Sequence, residues 1–120
     1  MKTILVVDDQ SDIRRLLRIA LMREFHILEA EEAEAAMVIV RATPPDLVLL
    51  DVMMPGPMDG LDVLCLIKSD ATTRHIPVGM ITARGQLTDT QEATLGGADA
   101  YFVKPFSPIQ VAAWVRQRLG

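Results

Sequence analysis

Five short apolar or mixed runs, each followed by a helical pattern, constrain this chain more than any other feature. Ile4-Leu5-Val6-Val7 stops at Asp8-Asp9, and Leu47-Val48-Leu49-Leu50 stops at Asp51. Val78 to Ile81 stops at Thr82, and Asp99 to Val103 stops at Lys104. The remaining run, Phe25 to Ala30, leads into an acidic patch. Continuous apolar runs of this length suit strands buried on both faces, as in parallel sheets.

The intervening segments carry helical spacing. Ile13, Leu16, Leu17, Ala20 and Leu21 recur with arginines between them, after Ser11 or Asp12 as a cap. A second helix is expected over Ala33 to Ala42, broken by Thr43-Pro44-Pro45. A third runs from Gly60 to Lys68, with Leu61, Leu64, Cys65 and Ile67 as its apolar set. A polar fourth, Leu87 to Leu95, stops at Gly96-Gly97. Ser107-Pro108 caps the fifth, which reaches Leu119. Strand and helix alternate throughout, which predicts an α/β fold with a parallel sheet covered by helices on both faces. All of residues 1–120 read as one domain.

Composition narrows the function. The net charge of −4 gives no support to direct nucleic-acid binding by this domain. Cys65 is the single cysteine, so neither an intrachain disulfide nor a multi-thiolate metal site can form. No apolar run approaches a membrane span, and the expected location is the cytoplasm. His26 and His75 fall on separate segments and are expected in solvent. Trp114, beside the Val111, Val115 and Leu119 stripe, is left open between packing on the sheet and facing a partner.

Position carries the chemistry. Ligands of open parallel sheets bind outside the carboxyl ends of the strands, near the reversal of strand order. Four strands end there in Asp8-Asp9, Asp51, Thr82 and Lys104. Clustered carboxylates repel one another and call for a cation. A hard divalent ion with oxygen ligands, Mg²⁺, meets that need and accepts phosphate oxygens as further ligands. Lys104 adds a positive charge suited to phosphate, and Thr82 a hydroxyl. One carboxylate could then form an aspartyl phosphate. Asp8 and Asp9 are adjacent and suit metal holding, whereas Asp51 stands alone and suits the nucleophile.

These segments, with Met58-Asp59-Gly60-Leu61, Ile81-Thr82-Ala83, Gly97-Ala98-Asp99-Ala100-Tyr101 and Val103-Lys104-Pro105-Phe106, resemble the receiver domain of bacterial two-component response regulators. The resemblance runs from Ile4 to about Leu119. It implies a flavodoxin-like, doubly wound fold: a five-stranded parallel sheet of order 2-1-3-4-5 with five helices. It implies that Asp51 accepts a phosphoryl group from a histidine kinase or phosphotransfer protein. Asp8, Asp9, Asp51 and the Met53 carbonyl would then ligate Mg²⁺. Lys104, Thr82 and the Ala83 amide would contact the phosphoryl oxygens, and Lys104-Pro105 would be a cis peptide. Thr82 and Tyr101 would form a switch pair remodelling the face of helix four, strand five and helix five, a face through which a second copy could dock. Helix one, with Ile13, Leu16 and Leu17, would neighbour the kinase. Met53 and Arg84 stand at positions that tune phosphoryl lifetime in the family.

One departure is local to the site. Asp59 lies eight residues beyond Asp51, one more than the family pattern, so Gly56-Pro57 contains an apparent insertion. Two rival readings exist. One is a receiver that docks without phosphorylation, although such modules usually lose the acid pair or the lysine. The other is a haloacid-dehalogenase-type phosphatase, whose first-strand Asp-x-Asp motif is not matched by Asp8-Asp9-Gln10-Ser11-Asp12.

Overall fold

In the computed structural model, which describes residues 1–83 and 97–120, β1 (Thr3–Val7) lies between β2 (His26–Ala30) and β3 (Leu47–Asp51). β4 (Val78–Ala83) and β5 (Ala100–Lys104) extend the sheet beyond β3. All pairings are parallel and the order is β2-β1-β3-β4-β5. The chain steps outward from β1 to β2 and then returns to the other side of β1. The reversal therefore falls between β1 and β3, at the carboxyl ends that carry Asp8 and Asp51.

The central strands β1, β3 and β4 are largely apolar because both their faces are covered. All five residues of β3 are buried. Leu5, Val7, Val48, Leu50, Val78 and Met80 face one core, shared with α2 (Ala33–Ala42) and α3 (Gly60–Ser69). Ile4, Val6, Leu47, Leu49 and Ile81 face the other, shared with α1 (Ser11–Leu21) and the C-terminal helix (Pro108–Leu119). Fully buried aliphatic side chains each contribute about 1.5–3 kcal/mol, so this core needs few aromatics.

Helix boundaries follow local chemistry with one correction. Ser107 Oγ accepts a hydrogen bond from the Gln110 amide and Pro108 opens the helix, as expected. Asp59 and Asp62 form a reciprocal capping box at α3. At α1, however, the N-cap is Gln10 and no side chain caps it, while Ser11 and Asp12 are the first helical residues. The expected fourth helix, Leu87 to Leu95, lies outside the described residues, as do Gly96 and Arg84.

Two expected core residues are exposed. Cys65 is on the open side of α3, because burial centres on Gly60, Leu61, Val63, Leu64 and Ile67 and the next helical position turns away. Leu16 is 41% exposed on α1, where Leu17 and Leu21 make the contact. His26 and His75 are exposed as expected. Trp114 packs on the sheet: it meets Phe102 edge-on at 5.8 Å. A Cβ on Gly79 would approach the Trp114 ring to 2.8 Å, so the missing side chain on β4 makes room for the indole.

Candidate functional site

Backbone pairing brings the polar strand ends together. The Asp8 amide continues the β1–β2 ladder to the Ala30 carbonyl at 3.1 Å. Asp51, the last residue of β3, pairs with Ile81. Ala83 and Lys104 are register partners at the ends of β4 and β5. Asp8 is wholly buried, Asp51 is 5% exposed and Thr82 4%. Asp9 is exposed. Carboxylate oxygens of Asp8, Asp9 and Asp51 all lie within 4.8 Å of one another.

Among the described residues, one ammonium faces this cluster. Lys104 Nζ lies 3.3 Å from Asp8 Oδ2 and 3.4 Å from Asp51 Oδ2. It also donates to Gln10 Oε1 at 3.1 Å. Charge-assisted N–H···O bonds are normally about 2.7–2.9 Å, so the lysine is shared among three acceptors and fully committed to none. The remaining oxygens are thinly served. Asp8 Oδ1 accepts from the Gln10 amide at 2.9 Å, and Asp51 Oδ1 from the Met53 amide at a long 3.4 Å. Asp8 Oδ2 is buried without a hydrogen bond among the described residues.

The electrostatics follow. Burial, reinforced by the Asp8 charge, pushes the Asp51 carboxyl up to about 6, against the opposing pull of Lys104 and the Met53 amide. A single lysine does not neutralise three carboxylates at this separation. The donor set is all oxygen, negatively charged, and includes a buried Asp8 oxygen that, among the described residues, has an ion-pair contact but no hydrogen bond. It fits a hard divalent cation.

The other expected residues surround this centre. The Thr82 hydroxyl donates to the Ala83 carbonyl at 3.2 Å. Tyr101, paired in register with Met80, is 64% exposed and is not drawn toward Thr82. Met53 is 46% exposed. The Lys104-Pro105 peptide is cis. The loop carrying the insertion turns at Gly56, whose φ of 103° favours glycine. It rejoins the body at Gly60, where the amide donates to the Val52 carbonyl at 2.9 Å.

Two contacts were not foreseen from the sequence. Gln10 holds Lys104 from 94 positions away in the chain. Arg14 Nη1 donates to the Asp8 carbonyl at 2.7 Å. The arginines of α1 read as ordinary polar spacing; only their nearness to the acid pair hinted at more.

With this geometry in view, comparison with known proteins is specific. A family model described as the response regulator receiver domain matches residues 4–116. The phosphate regulon transcriptional regulatory protein PhoB of Pseudomonas aeruginosa is 41% identical over 113 residues, covering 93% of this chain and 49% of that protein. The DNA-binding response regulator MtrA of Mycobacterium tuberculosis is 42% identical over 120 residues, covering 97% and 50%. The chain thus spans about half the length of the curated relatives it matches. The crystal structure of the receiver domain of NtrX from Brucella abortus superposes with a TM-score of 0.84 at 33% identity, covering 97% of each chain.

Proposed function

The chain belongs to the response regulator receiver domain family, and from that premise we propose that residues 1–120 are one phosphorylation-driven signalling switch with Asp51 as the phosphoacceptor. The observation that carries this reading is the sharing of Lys104 between Asp8 Oδ2 and Asp51 Oδ2 at 3.3 and 3.4 Å, with the buried Asp8 Oδ2 making no hydrogen bond among the described residues. Asp8, Asp9, Asp51 and the Met53 carbonyl would hold Mg²⁺. When bound, the ion relieves carboxylate repulsion and stabilises charge on phosphoryl oxygens.

The chain's own residues supply the rest. An Asp51 carboxylate oxygen attacks phosphorus in the phosphohistidine of a histidine kinase or phosphotransfer protein. A P–O bond to Asp51 forms, the P–N bond breaks, and the imidazole leaves with the electron pair. Lys104 offers its ammonium to the transferred oxygens, and the Thr82 hydroxyl and Ala83 amide donate to them. Asp51 is then an acyl phosphate, which water hydrolyses to restore the carboxylate. The chain acts as the acceptor, with no turnover of an external phosphoester.

The same residues supply a switch. In the present state the Thr82 hydroxyl is spent on the Ala83 carbonyl and Tyr101 is exposed. A phosphoryl group on Asp51 offers Thr82 a stronger acceptor, and Tyr101 turns inward as that space opens. The response involves β5 and the C-terminal helix, a face that would serve docking to a partner or a second copy. The setting is cytoplasmic. Among the described residues, no helix is long and apolar enough to cross a membrane. Amide NMR tests the reading. Mg²⁺ with the phosphate mimic beryllofluoride is expected to shift Asp51, Thr82, Ala83 and Tyr101 together. Unmoved Thr82 and Tyr101 resonances at saturating mimic would overturn the switch.

A further inference from the structure

Among the described residues, every polar atom of Asp8 is hydrogen-bonded except Oδ2, which faces the cluster with only an ion-pair contact to Lys104. Its amide donates to Ala30, its Oδ1 accepts from the Gln10 amide, and its carbonyl accepts from Arg14 Nη1 at 2.7 Å. Arg14 is itself fixed. Its side chain is 11% exposed, and its Nε donates to Glu29 Oε1 at 3.1 Å. Glu29 stands on β2, opposite Val6 of β1, and accepts from Arg18 through its other oxygen at 2.7 Å. A chain of contacts therefore runs from β2 through Glu29 and Arg14 to the Asp8 main chain.

We infer that Arg14, braced by Glu29, is a positioning residue for the divalent-cation site. Its guanidinium fork spans two acceptors at once, which a lysine ammonium cannot reproduce with the same rigidity. By pinning the Asp8 carbonyl, it keeps Oδ2 turned into the cluster, where that oxygen has only the 3.3 Å ion-pair contact with Lys104 and, among the described residues, no hydrogen bond. Direct charge is the lesser contribution, since Glu29 sits against the guanidinium. Nor is helix anchoring the main role: Leu17 and Leu21 already bury α1 against the sheet.

This inference rests on the reading of the cluster as a Mg²⁺ site, and its test separates the two. Mg²⁺ affinity of the whole chain is measured by calorimetry, without any phosphodonor, for wild type, Arg14→Met, Arg14→Lys and Glu29→Gln. Substitutions in the shell behind metal ligands typically cost about 10- to 100-fold in affinity. A loss in that range is expected for Arg14→Met, with partial recovery in Arg14→Lys and a smaller loss in Glu29→Gln. Labelling by acetyl phosphate should recover as Mg²⁺ is raised to saturation, marking an effect on metal affinity and not on phosphoryl transfer. Wild-type affinity in both Arg14→Met and Glu29→Gln overturns the inference, as does labelling that stays low at saturating Mg²⁺. If Arg14→Met does not fold, Glu29→Gln decides: weakened binding supports the bracing and unchanged binding overturns it. Absence of Mg²⁺ binding by the wild type would instead refute the metal site itself.

Discussion

Lys104 Nζ stands 3.4 Å from Asp51 Oδ2, too far for a committed charge-assisted hydrogen bond and close enough to matter electrostatically. The same ammonium lies 3.3 Å from Asp8 Oδ2. Lys104 is thus the cation, among the described residues, that restrains the repulsion between these two acids. Replacing it with methionine removes a charge that lowers the Asp51 pKa. The Asp51 carboxyl of Lys104→Met is therefore expected to titrate above about 6. Carboxyl-carbon NMR would show the displacement, and an unmoved titration would mean that Lys104 does not sense Asp51.

The raised Asp51 pKa has a consequence for stability, with a definite sign. Its folded value of about 6 exceeds the ordinary 3.8, so folding favours the protonated acid. The associated stabilisation is complete below the unfolded pKa and is lost as pH rises through about 6. Without divalent cation, Asp51→Asn should flatten this dependence and raise stability near pH 7.5 by up to about 3 kcal/mol, since the rise from 3.8 to about 6 spans roughly two units and one unit is worth 1.36 kcal/mol. Mg²⁺ should reverse the order, stabilising the wild type and leaving the variant nearly unchanged. Thermal melts at several pH values, with and without Mg²⁺, check both expectations.

Gly60 is where the loop after Asp51 returns to the core. A Cβ there would lie 1.8 Å from the Asp51 carbonyl oxygen, a backbone atom that cannot step aside. Gly60→Ala must displace either α3 or the end of β3. Overpacking costs about 1–3 kcal/mol and occasionally more, and this position belongs at the upper end. Denaturant melts should show the loss, with weakened Mg²⁺ binding because Asp51 moves too. Gly56→Ala differs: nothing lies within 4 Å of its Cβ, and the strain comes only from its φ of +103°.

Much of this was legible because parallel strands buried on both faces read as continuous apolar runs, and their polar stops mark the edge where the acids and Lys104 gather. Asp8, Asp9, Asp51, Thr82 and Lys104 are visible from their places in those runs. Contacts between distant segments leave no such trace. Nothing near Gln10 announces Lys104, and nothing near Gly79 announces the Trp114 ring it accommodates. The α1 cap was misread because Ser11 and Asp12 have strong capping preferences, while the backbone turn falls at Gln10. Cys65 was misplaced because one helical position separates the edge of the buried arc from solvent.

Opposite the site, Asp99 ties several elements together. Its Oδ2 accepts from Lys68 Nζ at 2.9 Å and the Val78 amide at 2.8 Å, and its Oδ1 accepts from Arg118 at 3.1 Å. Burial acts to raise its pKa, but the Lys68 hydrogen bond, the Val78 amide and the two cations together hold it below the ordinary value. Stability from this group is present above the unfolded pKa and lost as pH falls through the lowered folded one. Asp99→Asn should therefore lose stability at neutral pH and show a shallower acid transition. An unchanged acid limb in a pH series of melts would deny Asp99 this role.

The central claim is that Asp51 is the phosphoacceptor, and stoichiometric labelling tests it most directly. The full chain is incubated with acetyl phosphate and Mg²⁺, then weighed by intact-protein mass spectrometry before and after mild alkali. The account predicts one added phosphoryl group that requires Mg²⁺, disappears in alkali as an acyl phosphate must, and is absent from Asp51→Asn. Equal labelling of Asp51→Asn, or a phosphoryl group that survives alkali, would contradict it.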